Sequence, residues 1–120
     1  MQVQLNTDKH IVGSPRLLER VEHILQQELK HLTEELTRIE VHINDENSLK
    51  GGDNDKRCLL EARTGGLPPI TAEHRAESVD LALRGAAEQL GRVIKSSLGK
   101  LRERNKHAEP LKRVVDGSEI

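Results

Sequence analysis

Two long stretches of the chain place apolar residues at helical spacing, and four short ones place them at every second position. The longer helical stretch runs from Glu77 to Asn105. At about 100° per residue, Val79, Leu83, Ala86, Ala87, Leu90, Val93, Ile94, Leu98 and Leu101 fall within one arc of roughly 140°. Arg84, Arg92, Lys95, Arg102 and Lys106 fall within an arc of roughly 80° on the opposite side. Only Glu88 breaks that basic stripe, and Leu81 is its one apolar residue. The shorter helix is announced by Ser14 as N-cap and Pro15 at the first helical position. It is expected to run to about Thr33, with Leu17, Leu18, Val21, Ile24, Leu25, Leu29 and Leu32 as its stripe.

The alternating stretches predict strands over Met1–Asn6, Leu36–Asn44, Lys56–Thr64 and Ile70–Ala76. Asp8–Gly13 is a turn, and Gly65-Gly66 is a tight hairpin turn. Asp45–Asp55 reads as a polar loop with a Gly pair. Pro68 and Pro69 confine the last strand's start to an edge or to its first position. The order is β-α-β-β-β-α. Each strand is apolar on one face only, so this is an α+β fold, a four-stranded mixed sheet with two helices packed on one face. The first two strands flank a helix and should be parallel neighbours; the others should pair as antiparallel hairpins. On the outer face, Arg38, Glu40, Arg57, Glu61, Arg63, Glu73 and Arg75 alternate in sign, which suits cross-strand pairing. Residues 1–105 form one domain, and 106–120, charged and without a period, read as a disordered tail.

The net charge is −1, which excludes a general polycation. The sign is uneven, however: between Asp80 and Arg113 nine Lys or Arg face four acids, so this segment carries +5 and the remainder −6. The second helix therefore presents a directional basic ridge of the kind that grips a phosphate backbone, with Arg20 and Lys30 as weaker additions from the first. A merely solvated face is the competing explanation. The chain has no Phe, Trp or Tyr. Single-stranded bases are normally stacked on aromatic rings, so contact with RNA is expected through backbone and shape.

Catalytic chemistry is thin. The single cysteine, Cys58, excludes an intramolecular disulfide, and its inward strand position reads as a small buried hydrophobe. Six histidines include no HExxH pair. His42 and His74 lie on strands and could meet across the sheet, which leaves a small metal-dependent enzyme as a third class of reading. Zinc sites nonetheless usually gather three or four protein ligands. No metal, cofactor or small-molecule substrate is expected. The opening MQVQLNTDKH lacks the apolar core of a signal peptide, and no apolar run approaches a membrane span. A cytoplasmic chain, monomeric in isolation, follows as the expectation, with no membrane partner.

The start MQVQLNTDKHI, the Ser-Pro helix opening, the strand TRIEVHI and the run ITAEHRAESVDLALRGAAEQLGRVI resemble the short ribosome hibernation-promoting factors. These are the ribosome-associated inhibitors of the sigma-54 modulation or ribosomal subunit interface family. The resemblance spans about residues 1 to 105 and implies the same β-α-β-β-β-α fold. It implies binding to the small ribosomal subunit in its decoding channel, arrest of translation under stress, and no catalysis. Ala82, Leu83, Leu90, Arg92 and Lys95 match the family pattern, with Arg92 and Lys95 at its RNA-facing basic positions. Arg84, Gln89, Ser96, Ser97 and Gly99 depart from it. The competing class is a stress-related protein-interaction adaptor of the same fold with little affinity for RNA.

Overall fold

The computed structural model describes residues 1–46 and 55–116, with side chains described through residue 100. The expected order is present: β1 (Gln2–Thr7), α1 (Pro15–Glu28), β2 (Leu36–Asp45), β3 (Lys56–Thr64), β4 (Leu67–Ala76) and α2 (Val79–Asp116). The sheet order is β1-β2-β3-β4, with β1 parallel to β2 and the other neighbours antiparallel.

Register carries the apolar alternation from strand to strand. Val41 lies between Leu5 and Leu60, and Leu60 faces Ala72 in turn. Side chains directly opposite share a face, so these residues form one apolar surface. The inner residues Ile39, Val41, Ile43, Cys58 and Leu60 are fully buried. They join Ile24 and Leu25 of α1 and Leu83, Leu90 and Ile94 of α2 in a single cluster. Ala82, Ala86 and Ala87 are also fully buried, and their small size lets α2 lie close on the sheet.

Several boundaries differ from expectation. α1 ends at Glu28, not Thr33, because Leu29 leaves the helical region (φ −117°, ψ 17°) and a 3-10 turn, Lys30–Leu32, follows. That tighter turn points both Leu29 and Leu32 into the core. β4 begins at Leu67, three residues early. Thr64 pairs with Leu67 across the Gly65-Gly66 turn, and Pro68 and Pro69 are tolerated because β4 is an edge. The helical backbone of α2 continues past Asn105 to Asp116. Most residues of that extension have good helix propensity, and Pro110 is the one that opposes it. Val93 is 43% exposed although it falls within the apolar arc. It marks the margin of that arc, where the helix turns away from the sheet. Of the polar loop expected over 45–55, residues 47–54 lie outside the described residues.

Local hydrogen bonds fix both helix starts and the first turn. Ser14 Oγ accepts from the Leu17 NH at 3.2 Å, and Ser78 Oγ accepts from the Leu81 NH at 3.2 Å, so both helices are capped at their first turn. Asp8 accepts from the His10 NH and from the Asp45 NH, each at 3.0 Å, which ties the β1–α1 turn to the end of β2. Burial pushes the Asp8 carboxyl up, but these NH groups and the His10 charge outweigh it, and the pKa is lowered. A carboxylate with a lowered folded-state pKa contributes stability above its unfolded pKa, and that contribution is lost as pH falls through the folded value. Asp8→Ala is therefore expected to lower stability by about 1 kcal/mol at neutral pH. The difference from wild type should vanish on acidification, as read by thermal melts at neutral and acid pH.

Candidate nucleic-acid interface

The long helix is positioned by its buried alanines and leucines, so its opposite side is exposed by construction. Arg84, Arg92 and Lys95 all stand on that side and are exposed. Arg84 and Lys95 are nearly in line and about 16 Å apart along the axis at 1.5 Å per residue. Arg20 projects from α1 and Lys30 from the 3-10 turn, both exposed. Arg102 and Lys106 belong to the same helix, but their side chains lie beyond the described residues.

Three of these cations are not bare. Arg84 Nη1 lies 3.3 Å from Glu28 Oε2 of α1, and Arg20 Nη1 lies 3.5 Å from Asp80 Oδ1 of α2. The two pairs cross the seam between the helices in opposite senses, each helix lending one cation and one acid. Arg92 Nη1 lies 3.5 Å from Glu88 Oε1 one turn away. Among the described residues, Lys95 has no ion pair. Exposed pairs of this kind contribute ~0–1 kcal/mol each, so they are easily exchanged for another anion. No periodicity argument finds Glu28 and Asp80, since only the tertiary packing of α1 on α2 brings them to Arg84 and Arg20.

The outer face of the sheet is organised differently from the expected pairing. Directly opposite positions carry like charges: Arg38 faces Arg63, Glu40 faces Glu61, and Arg57 faces Arg75. The strands alternate in sign but are registered like to like. Opposite charges therefore meet diagonally or along a strand, as in Arg57–Glu73 at 2.6 Å, Arg38–Glu40 at 3.8 Å and Arg63–Glu61 at 3.9 Å. Arg75 is held by Glu46 as well as Glu73. The Arg57 guanidinium, hydrogen-bonded to Glu73, holds that carboxyl below the usual glutamate range.

The histidine pair does not assemble. His42 registers with Leu59 on the outer face, whereas His74 registers with Cys58 on the inner face. The two rings are on opposite sides of the sheet, so the metal-enzyme reading loses its ligand pair. Among the described residues, no three His, Cys, Asp or Glu side chains cluster as metal ligands. Burial pushes the Cys58 thiol up to about 12, which keeps it protonated and a poor nucleophile at neutral pH. His74 instead packs beneath α2, its Nδ1 3.4 Å from Gln89 Nε2. Gly85 makes room for it: a Cβ there would stand 2.2 Å from the His74 ring.

Comparison with protein families places this architecture. The model described as sigma 54 modulation protein / S30EA ribosomal protein matches residues 6–102. The chain belongs to that family. Among solved structures, this S30EA-family chain is similar to a ribosomal subunit interface protein from Coxiella burnetii. The TM-score is 0.66 at 19% identity, covering 82% of this chain and 99% of that one. It is also similar to the N-terminal domain of Protein Y from Thermus thermophilus, with a TM-score of 0.61 at 14% identity, covering 80% and 98%. At such identities the structural likeness concerns the fold. No curated protein sequence matches significantly. Among the described residues, no helix of the S30EA-family chain is long and apolar enough to cross a membrane.

Proposed function

We propose that this protein binds the ribosome and silences it, occupying the decoding channel of the small subunit through the basic ridge of α2. The observation that carries this is an exposed row of cations on the rigid long helix of a chain that belongs to an S30EA ribosomal protein family. Arg84, Arg92, Lys95, Arg102 and Lys106 grip ribosomal RNA phosphates, with Arg20 and Lys30 extending the contact onto α1. No aromatic side chain exists to stack a base. Recognition therefore rests on the spacing of phosphates in folded RNA. The factor acts in the cytoplasm as a translation inhibitor in stress, without a catalytic step. Residues 1–105 form the binding domain and 106–120 the tail.

Sedimentation with vacant ribosomes tests this. The protein is expected to travel with the small subunit at low salt and to be released as salt rises, because each phosphate contact displaces condensed counterions. Failure to travel at low salt would leave the fold and discard the function. The alternative, an adaptor that binds another protein, draws on the ion pairing of Arg20, Arg84 and Arg92, which leaves less free positive charge.

Those ion pairs give a second expected result. Glu28, Asp80 and Glu88 compete with RNA phosphate for the same guanidinium groups. The triple substitution E28Q/D80N/E88Q is therefore expected to tighten ribosome binding by roughly 10-fold, at ~0.5 kcal/mol released per pair. The readout is the Kd in a salt series. An unchanged Kd would mean that these arginines do not face RNA.

A further inference from the structure

The two edges of the sheet are built differently. β4 has the sequence LPPITAEHRA, with two prolines and exposed charges at Glu73 and Arg75. Prolines and charges on an edge are the usual guard against strand addition. The other edge, β1, is QVQLNT, six residues with no charge and no proline. Beside it the molecule is open on the helix side. One shallow depression of about 340 Å³ is lined by Met1, Val3, Glu19, Glu22, His23 and Gln26. A second of about 360 Å³ is lined by Val3, Leu5, Thr7, Gly13, Ser14, Pro15 and Leu18. α1 thus runs over β1 with its acidic Glu19 and Glu22 towards the Met1 end. The Thr7 end adjoins the turn that holds Lys9, His10 and Val12 and the start of α1, with Arg16.

We propose that β1 is the contact edge of a homodimer, in which two copies pair their β1 strands antiparallel about a two-fold axis normal to the sheet. The two ends of the edge complement each other under that symmetry. Glu19 and Glu22, both exposed, face the partner's exposed Lys9 and Arg16, and the reverse contact repeats on the other side of the axis. The apolar ends match as well. Met1 is 40% exposed at one end of β1 and Val12 80% exposed beside the other, and the two-fold brings Met1 of each copy towards Val12 of the other. The strand itself is uncharged, so its own side chains raise no like-charge repulsion across the axis. The result is a continuous eight-stranded sheet with all four helices on one face. This replaces the monomer expected from sequence, which periodicity cannot distinguish from a chain with one open edge. The proposal does not depend on ribosome binding, since none of Lys9, Arg16, Glu19 and Glu22 belongs to the basic ridge of α2.

Sedimentation equilibrium of the full chain, followed by refractive index because no aromatic residue absorbs, tests the pairing. The weight-average mass should rise from one chain towards two as concentration increases. The variants E19K/E22K and K9E/R16E should each associate roughly 10-fold more weakly than wild type. Mixed in equal amounts, they should associate at least as well as wild type, since one presents only basic ends and the other only acidic ends. Both alter exposed side chains, and far-ultraviolet circular dichroism checks that they stay folded. Hydrogen exchange should show amides of β1, and not of β4, slowing as concentration rises. A mass that stays at one chain overturns the dimer. A mass that rises without responding to the charge variants, or without added protection in β1, overturns the placement at this edge.

Discussion

Reversing Arg92 and Lys95 together to Glu is expected to weaken ribosome binding by on the order of 100-fold or more at moderate salt, and to flatten its salt dependence by about two units of slope. Both side chains stand on the exposed side of α2, opposite Leu90 and Ile94, which are fully buried. The change removes two phosphate contacts and places two negative charges where phosphates would approach. Its cost to the fold is small. Glu88 then faces a glutamate one turn on, a like-charge pair worth a few tenths of a kcal/mol. The paired measurements are cosedimentation across salt and circular dichroism of the isolated variant. A double reversal that stays folded and still travels with the small subunit as wild type does removes the α2 ridge from the interface.

Replacing Gly85 by Ala is expected to destabilise the protein by about 2–3 kcal/mol, a fall in Tm of roughly 10–20 °C. On propensity alone the substitution should help, since Ala is favoured over Gly in a helix by ~1 kcal/mol. The packing decides otherwise. The new Cβ would stand 2.2 Å from His74 Cδ2 and 2.5 Å from both Cγ and Nε2. The ring is held between sheet and helix beside Gln89, so either α2 lifts from β4 or the imidazole leaves its place. The sign should invert when the obstacle is gone. In a His74→Ala background, Gly85→Ala is expected to gain up to ~1 kcal/mol from propensity. A thermal-melt double-mutant cycle reads the coupling directly. Additive effects would mean that the helix and β4 separate without resistance.

Element order, strand pairing and core were legible because burial leaves a periodic trace. Ile39, Val41 and Ile43 alternate with Arg38, Glu40 and His42, and the register places the first three in the core. The edge position of β4 was legible from Pro68 and Pro69. Facts that depend on register or on contact between distant segments were not. The alternating signs on the outer face suggested opposite charges across each rung. The register of β2 on β3 and of β3 on β4 instead aligned like with like. His42 and His74 looked comparable as strand histidines until register put them on opposite faces. In the same way, the basic ridge was visible as a stripe. The carboxylates of Glu28 and Asp80 that answer Arg84 and Arg20 come from the other helix, and no single-helix projection contains them.

The strand order also bears on how the protein is made. β1 is synthesised first, yet among the described residues its neighbour in the sheet, β2, begins at Leu36. At ~5–20 residues per second the ribosome needs roughly two to seven seconds to produce that neighbour. β2, β3 and β4 then follow as consecutive hairpins, whose formation takes microseconds. The nascent chain thus carries an uncharged strand without its template for longer than any later strand waits. Crowded synthesis, in which several such strands emerge close together on one message, is where this fold is most exposed to mispairing. Slower translation through residues 8–35 would lengthen that window.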